Sequence, residues 1–236
     1  QVEGALRPGE LLAHAAAVAE NGRGIAIAGF SGMGKSTLAL LVMNRGTTFV
    51  SNDRLLIRRE DGALFMKGVA KLSRVNPGTV LNNPSLGSVM PDDERQRVEQ
   101  LPATELWNLE QKYDVFIDRC FGPGKFDLGA RMIALVLLNW RREEVPLEIC
   151  RTDLSQRLDL LLAFMKDGGL FYLAPVGAPV DFSPQAYLQA LAGCPVFELC
   201  GGVDFESAAG FCLKLVRAPD SAAVDRATVE WNAGQL

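Results

Sequence analysis

The chain of 236 residues carries a formal net charge of −4 and has an isoelectric point of about 5.2, which argues against a general binder of nucleic acids or membrane surfaces. Hydrophobic residues make up 48% of it, enough for a sizeable core, and its length fits one domain over 1–236 more readily than two. No apolar run approaches the roughly 20 residues of a membrane-spanning helix, so we expect no membrane association.

The five cysteines include no Cys-x-x-Cys pair, and the single histidine lies far from them in sequence. This pattern favours reduced thiols in a cytoplasmic protein over disulfides or a zinc site. The chain begins with Gln1 and not with Met, which leaves open a longer protein with a further N-terminal region.

In chain order, the first predicted element is a helix over 11–20, because this alanine-rich segment has high helix propensity. It contains His14, the single histidine. From the residues alone, a structural role for this imidazole is favoured over a functional one.

A phosphate-binding loop is the strongest signal in the sequence. Residues 29–36 match the pattern G-x-x-x-x-G-K-[ST], between an apolar strand predicted at 24–28 and a helix predicted at 36–44. We expect Lys35 to reach the β- and γ-phosphates of a nucleotide and the Ser36 hydroxyl to bind Mg²⁺. The predicted nucleotide contacts are Gly29, Ser31, Gly32, Met33, Gly34, Lys35, Ser36 and Thr37. A glycine-rich turn without a ligand is the alternative, and the flanking strand and helix argue against it.

A strand predicted at 47–51 ends at Asn52 and Asp53. An acidic residue at the end of a strand beside a phosphate loop is placed to hold Mg²⁺ or to accept a hydroxyl proton. A turn-forming Asn-Asp pair is the alternative. We favour the functional interpretation, because one short helix separates Lys35 from Asp53.

The next segments predict a hairpin and a loop. The strands at 55–57 and 63–66 flank an Asp-Gly turn. Residues 71–84 hold two cations, Lys71 and Arg74, among turn-forming residues. They fit a substrate-facing loop and an irregular surface connection equally well.

A strand predicted at 113–118 leads into a Gly/Pro-rich loop with Arg119 and Lys125, followed by an apolar helix predicted at 128–140. Cations at the start of a helix oppose its dipole. Either an anion lies near them or the loop is simply exposed. Further strands are predicted at 146–150, 170–173 and 196–199, and further helices at 154–165, from Ser183-Pro184 onward, and at 205–216.

Taken together, these motifs resemble the HPr kinase/phosphorylase family, and more narrowly its HPr kinase-related members of the kinase B type. The phosphate loop 29–36 resembles the family's Gly-Asp-Ser-Gly-x-Gly-Lys-Ser pattern, and 44–53 resembles its Arg-Gly, strand and Asp-Asp sequence. The segment 123–128 resembles its Pro-Gly-Arg-Asn-Leu stretch. The likeness covers most of 10–141.

The resemblance implies an α/β fold: the compact phosphate-loop fold shared with ATP-dependent phosphoenolpyruvate carboxykinases, a mixed sheet flanked by helices. It implies ATP and Mg²⁺ as cofactors, a homo-oligomer, and a role for His14 near the transferred phosphate, since His14 is as far upstream of Lys35 as the family's active-site histidine.

Three positions depart from the family pattern. Asn52 replaces the first of two paired aspartates, 71–79 does not match the Glu-x-Arg-Gly signature, and Lys125 replaces an arginine. A lysine cannot clamp a phosphate with two parallel hydrogen bonds as arginine does. Phosphorylase activity and HPr as the substrate are therefore not implied.

The sequence predicts a kinase that transfers the γ-phosphoryl group of ATP to a hydroxyl acceptor, a protein serine in the leading hypothesis. Asp53, Lys35 and His14 are the expected catalytic residues, and Ser36 and Asp53 the expected Mg²⁺ ligands. Arg74, Arg119 and Lys125 are candidate substrate contacts. A small-molecule kinase, for a sugar or polyol, and a nucleotide-binding regulatory module without catalysis are the alternatives.

Overall fold

Among the residues that the computed structural model describes (7, 9–69, 71–109, 111–167 and 180–233), nine strands form one mixed sheet and two form a small antiparallel ribbon. The strands are β1 (Leu11–Ala13), β2 (Ala15–Glu20), β3 (Arg23–Gly29), β4 (Thr48–Ser51), β5 (Leu55–Glu60), β6 (Ala63–Gly68), β7 (Ser73–Val75), β8 (Tyr113–Val115), β9 (Gly129–Leu138), β10 (Leu147–Arg151) and β11 (Val196–Gly201).

The helices are α1 (Lys35–Met43), α2 (Pro77–Leu81), α3 (Asp92–Glu99), α4 (Ala103–Asn108), α5 (Ile117–Phe121), α6 (Leu158–Phe164), α7 (Pro184–Leu191), α8 (Phe205–Arg217) and α9 (Ser221–Ala233), with a 3₁₀ helix at Pro84–Val89. Within the described residues, no helix is both long and apolar enough to traverse a membrane.

Strand β9 is the centre of the main sheet. Along one edge it pairs with β3 in parallel, and β2 and β4 continue the sheet beyond β3. Two strands share its other edge: β6 pairs antiparallel with 129–131, and β11 pairs in parallel with 135–138. The sheet therefore has a notch between β6 and β11, opposite residues 132–134 of β9.

The sheet curls so that β4 approaches β6. The segment 125–128 bridges the two strands: Phe49 N–H donates to the Lys125 carbonyl, Asp127 N–H to the Phe49 carbonyl, and Gly68 N–H to the Leu128 carbonyl. Helices cover both faces. On one face α1, α8 and α9 pack over Ile25, Ile27 and Val136; on the other, α6 and α7 pack over Ala26, Ala28 and Leu135.

The helix predicted at 11–20 is wrong, because these residues form β1 and β2 with a corner at His14. Residues 11–13 and 15–19 are buried. A strand covered on both faces loses the alternation of apolar and polar residues that marks a strand. Helix propensity contributes only fractions of a kcal/mol per residue, so tertiary burial decides the outcome.

The helix predicted at 128–140 is wrong for the same reason: it is the central strand β9. Arg119 and Lys125 therefore do not precede a long helix, and the argument from the helix dipole does not hold. Arg119 lies within the short helix α5, which begins at Ile117. The strand predicted at 113–118 therefore ends earlier than expected.

Most other predicted elements are confirmed. They are β3, α1, β4, the β5–β6 hairpin with its Asp61-Gly62 turn, β10, α6, α7 with Ser183 as its N-terminal cap, β11 and α8. The charged stretch at 91–100 contains the exposed helix α3, and 71–84 contains β7 and α2. Helix α9 was not predicted. The strand predicted at 170–173 lies outside the described residues.

Candidate active site

The glycine-rich loop connects the end of β3 to the start of α1. Gly32 and Gly34 have φ angles of 82° and 90°, which side chains with a Cβ atom rarely adopt. Gly34 directly precedes Lys35, the first residue of α1. The backbone of the loop therefore lies at the N-terminal, positive end of α1, where a bound anion would be stabilised.

Lys35 is buried and folds back on the loop. Its Nζ donates to the Gly29 carbonyl at 2.8 Å and to the Phe30 carbonyl at 3.2 Å. Burial lowers the pKa of Lys35 to about 8, against the opposing effect of the Asp53 carboxylate. Two uncharged carbonyl oxygens therefore hold the ammonium in the loop. A phosphate oxygen carries negative charge and would be the stronger acceptor.

Two aromatic residues support the loop, and neither was predicted from the sequence. Trp140, just after β9, donates from its indole Nε1 to the Met33 carbonyl at 3.0 Å. Its ring packs edge-on against Phe205, with centroids 5.0 Å apart. Phe205 in turn lies against Gly34, where an added Cβ would be 2.5 Å from the ring.

Asp53 follows β4 and lies near three cationic or protonatable groups: His14, Lys71 and, at 3.9 Å, the adjacent Arg54. Its Oδ1 lies 3.2 Å from His14 Nε2, and its Oδ2 lies 3.1 Å from Lys71 Nζ. The hydrogen bond from His14, followed by the hydrogen bond and charge of Lys71, holds the pKa of Asp53 far below its usual range, although partial burial opposes the shift. Asp53 is therefore a carboxylate at any physiological pH.

The sheet topology explains why His14 meets Asp53. His14 is the corner between β1 and β2, and β2 pairs with β4 through Ala17 and Ser51. The His14 N–H is anchored by the Phe164 carbonyl at 2.8 Å. The corner therefore directs the imidazole toward the residues that follow β4.

One cavity of about 750 Å³ joins the phosphate loop to Asp53. From the loop and α1 it is lined by Ser31, Gly32, Gly34, Lys35, Ser36 and Thr37, and from the opposite side by His14, Asn52, Asp53, Lys71, Arg74, Asn76 and Thr79. Asp204 and Glu206, at the start of α8, also line it. Thr37 and Thr79 join its two sides through a 2.7 Å hydrogen bond between their hydroxyls.

The cavity brings together most of the predicted site residues. Arg74 lines it, and so does Lys71, which the sequence placed in the same loop without assigning it a role. Asn52 also lines it; its amide oxygen is buried and has no hydrogen-bond partner among the described residues. Because the Asn52 amide is uncharged, Asp53 is the one carboxylate at the end of β4 that lines the cavity.

Arg119 and Lys125 do not line this cavity. Lys125 Nζ donates to the Gly46 carbonyl at 2.9 Å, past the C-terminal end of α1, whereas the phosphate loop lies at the N-terminal end. Arg119 stacks on Phe116 at 4.8 Å, in a helix that packs against the 3₁₀ helix. Neither cation therefore lies at this cavity, and their role as substrate contacts stays a prediction.

The donor set fits a magnesium nucleotide. A hydroxyl at Ser36 and a carboxylate at Asp53 are hard oxygen ligands, and Mg²⁺ in phosphoryl-transfer sites takes one or two protein oxygens, with phosphates and water completing its shell. No group of three or more His, Cys, Asp and Glu side chains suited to a metal ion occurs in the described part of the chain. The cavity volume lies within the range of small-molecule sites.

The chain is similar to known proteins both in sequence and in structure. The HPr kinase/phosphorylase of Geobacillus thermodenitrificans (strain NG80-2) is 32% identical over 108 residues, which are 43% of this chain and 34% of the relative. The chain thus spans about a third of the length of this curated relative. No family model matches the sequence.

Among solved structures, one that is similar to the chain is the Hpr(Ser) kinase/phosphatase from Coxiella burnetii. It is aligned over 95% of this chain and 91% of its own, with 11% sequence identity and a TM-score of 0.39.

The predicted α/β architecture of a mixed, curled sheet flanked by helices is confirmed. A strand, a glycine-rich loop and a helix, with a carboxylate at the end of a nearby strand, define a phosphate-loop α/β protein. The resemblance to HPr kinase/phosphorylase proteins is likewise confirmed, over the 108 residues that the chain shares with this relative.

Proposed function

We propose that the chain is an ATP- and Mg²⁺-dependent kinase domain that transfers the γ-phosphoryl group to a hydroxyl acceptor, a serine of a protein. The observation that carries this proposal is the shared cavity, in which the phosphate loop with Lys35 and Ser36 faces Asp53. Nucleotide phosphates held at the loop and an acceptor hydroxyl near Asp53 would meet in the same space.

The chain's own residues would act mainly by positioning and by neutralising charge, which supply most of the catalysis in phosphoryl transfer. Loop amides and Lys35 would bind the phosphates, and Ser36 and Asp53 would hold Mg²⁺, which neutralises charge on the β- and γ-oxygens when bound. Lys35 would exchange its two carbonyl acceptors for phosphate oxygens.

Asp53 would orient the acceptor hydroxyl and take its proton late in the reaction. Its depressed pKa makes it a weak base toward a free alcohol. It is nonetheless charged and available as a hydrogen-bond acceptor, which suits a loose transition state in which the hydroxyl becomes acidic only as the bond to phosphorus forms. His14 and Lys71 would fix its orientation from two sides.

A second candidate function is a nucleotide-binding regulatory module without turnover. The amide of Asn52 favours it, since the cavity then offers a metal ion one carboxylate from β4 instead of two. This module would bind Mg-ATP through the same loop and would release no product.

Transfer of label from γ-labelled ATP tests the kinase proposal directly. Purified protein is incubated with labelled Mg-ATP and fractions of a native cell extract, and products are separated by size. Label on a protein serine supports the proposal. Label on a small alcohol alone would identify a small-molecule kinase, and tight Mg-ATP binding without transfer in any fraction would identify the regulatory module.

The Lys35→Ala variant is the control in this assay, because it keeps the fold's apolar core but loses the phosphate-binding ammonium. It should transfer no label. The family likeness also supports a homo-oligomer in the cytoplasm. Sedimentation of the purified chain would test its oligomeric state.

A further inference from the structure

A second cavity, of about 380 Å³, lies in the notch of the sheet between β6 and β11. It is lined by Met132 and Ile133 of β9, by Gly62–Leu64 at the start of β6, and by Gly193–Pro195 before β11. It sits at the N-terminal end of β3, whereas the phosphate loop follows the C-terminal end. The seven residues of β3 separate the two cavities by roughly 20 Å, at about 3.3 Å per residue.

Three arginines, Arg23, Arg59 and Arg131, line this cavity, which we call the arginine notch. Arg23 and Arg131 are directly opposite each other in the parallel β3–β9 ladder, so their side chains leave the same face of the sheet. Arg59 comes from β5 and reaches the end of α7, which covers the other face. Because the sheet is interrupted at the notch, arginines from both faces line one space.

Backbone carbonyls hold two of these guanidinium groups in place. Arg23 donates to the carbonyls of Ala218 at 2.7 Å and Pro219 at 3.1 Å, and its Nε is buried without an acceptor among the described residues. Arg59 donates to the carbonyls of Gly62, Ala190 and Ala192. These contacts orient the guanidinium groups, but carbonyl oxygens do not neutralise their charge.

Negative charge is scarce around the arginine notch. Within the described part of the chain, no ion pair involves any of its three arginines, and the Arg131 guanidinium makes no hydrogen bond. Asp220 also lines the cavity, but its carboxylate accepts from the Ala223 N–H at 2.7 Å and so caps the first turn of α9. Arg23 and Arg131 therefore bring two cationic side chains to the same end of the β3–β9 ladder, and neither is paired with a carboxylate among the described residues.

We propose that the arginine notch is a second anion site, which binds a small phosphate-bearing molecule. Planar guanidinium forks match the oxygens of phosphate, and a phosphate would supply the charged acceptor that these arginines lack among the described residues. The volume exceeds that of a bare phosphate ion and fits a phosphorylated molecule of small-metabolite size.

Calorimetric titration with inorganic phosphate tests this site, with pyrophosphate and citrate as further probes. The titrations use the Lys35→Ala chain, so that the phosphate loop does not contribute, and therefore do not depend on the proposed kinase activity. We expect phosphate or pyrophosphate to bind this chain. Adding Arg131→Gln should weaken binding on the order of tenfold or more, since it removes a charge-assisted contact, and Arg131→Lys should restore part of it.

Arg95→Gln is the matched control, because it removes an equal charge from α3, where Arg95 contacts the Gly87 carbonyl. It should leave phosphate binding unchanged. Arg131→Gln should also reduce the rise in melting temperature that phosphate produces. Binding of citrate alone, no binding by any probe, or equal affinity in the Arg131→Gln and Arg95→Gln chains would overturn the proposal.

Discussion

At the scale of single residues, Asp53 connects the parts of the candidate active site. It is the point at which β4, the β1–β2 corner and the loop after β6 meet, through its contacts with His14 and Lys71. Neither partner is near Asp53 in sequence. The charge of one carboxylate therefore decides how three separate segments are arranged around the cavity.

Replacing Asp53 by Asn should separate binding from turnover. The amide keeps the shape and one acceptor oxygen but loses the charge that would hold Mg²⁺ and receive the hydroxyl proton. We expect the turnover number to fall by about 10²–10⁴, the usual contribution of a positioned acid or base, while nucleotide affinity changes only a few-fold. Steady-state kinetics and equilibrium binding of a nucleotide measure the two effects.

Asp118→Asn is the control for this substitution, since Asp118 is an exposed carboxylate in α5 and does not line the cavity. It should have wild-type turnover. Full activity in the Asp53→Asn chain would refute the role assigned to Asp53.

The buried ammonium of Lys35 should make the proposed nucleotide binding depend on pH. Burial lowers its pKa to about 8 in the free protein, and a bound phosphate favours the protonated form. Below that pH the ammonium is charged before binding. As pH rises through about 8, binding must take up a proton, so affinity should fall, approaching about tenfold per pH unit.

The Lys35→Arg chain checks this assignment, because a guanidinium keeps its charge throughout that range. If Lys35 causes the fall in affinity, the nucleotide affinity of the Lys35→Arg chain should stay constant from pH 7 to pH 9. Titration by fluorescence or calorimetry measures this affinity. A decline equal to that of the wild type would place the titrating group elsewhere.

Sequence patterns predict the residues of this site unevenly. Lys35, Ser36 and Asp53 could be predicted because the phosphate loop is a local motif and the following strand is short. His14 was assigned a role through the family resemblance alone, since an alanine-rich segment gives no local sign of a strand corner. Lys71 was not assigned a role, because its contact with Asp53 depends on how the curled sheet returns the loop after β6.

At the scale of elements, the strands most deeply buried were the hardest to identify. β2 and β9 lie between helical layers and are apolar on both faces, so their sequences carry no period-2 pattern. The half-buried β5–β6 hairpin was identified, because its turn places Asp61 and Gly62 at positive φ. Local turn chemistry survives in the sequence, whereas burial on two faces erases the strand signal.

Trp140 links β9 to the phosphate loop, and Trp140→Phe isolates that link. The change keeps an aromatic ring for Phe205 but removes the indole N–H that binds the Met33 carbonyl. We expect a loss of about 1 kcal/mol in unfolding free energy and a higher KM for the nucleotide with a smaller change in kcat. Urea denaturation and steady-state kinetics measure these quantities.

Trp231→Phe is a suitable comparison, since Trp231 of α9 packs edge-on against Phe211 of α8 and does not line the cavity. It should affect stability and leave KM unchanged. If the two variants had the same KM, the indole hydrogen bond would have no role in holding the loop.

At the scale of the whole molecule, the curl of the sheet joins the fold to the site. β4 carries Asp53 at its end, and β6 leads to Lys71, so the distance between these strands controls the contact between the two side chains. Gly68 of β6 permits the close approach. An added Cβ at this position would lie 1.9 Å from the carbonyl oxygen of Val50 in β4.

Gly68→Ala should therefore act on stability and on the site together. The methyl group meets backbone and not a flexible side chain, so β4 and β6 must separate, at a cost of about 1–3 kcal/mol or more in unfolding free energy. Gly87→Ala is the control, because no atom lies within 4 Å of its added Cβ, and it should change stability by less than about 0.5 kcal/mol.

Since the chain has a single histidine, its imidazole NMR signals report on the contact with Asp53. They should shift in the Gly68→Ala chain and stay at their wild-type positions in the Gly87→Ala chain; an unshifted His14 in a destabilised Gly68→Ala protein would show that the curl and the site are independent.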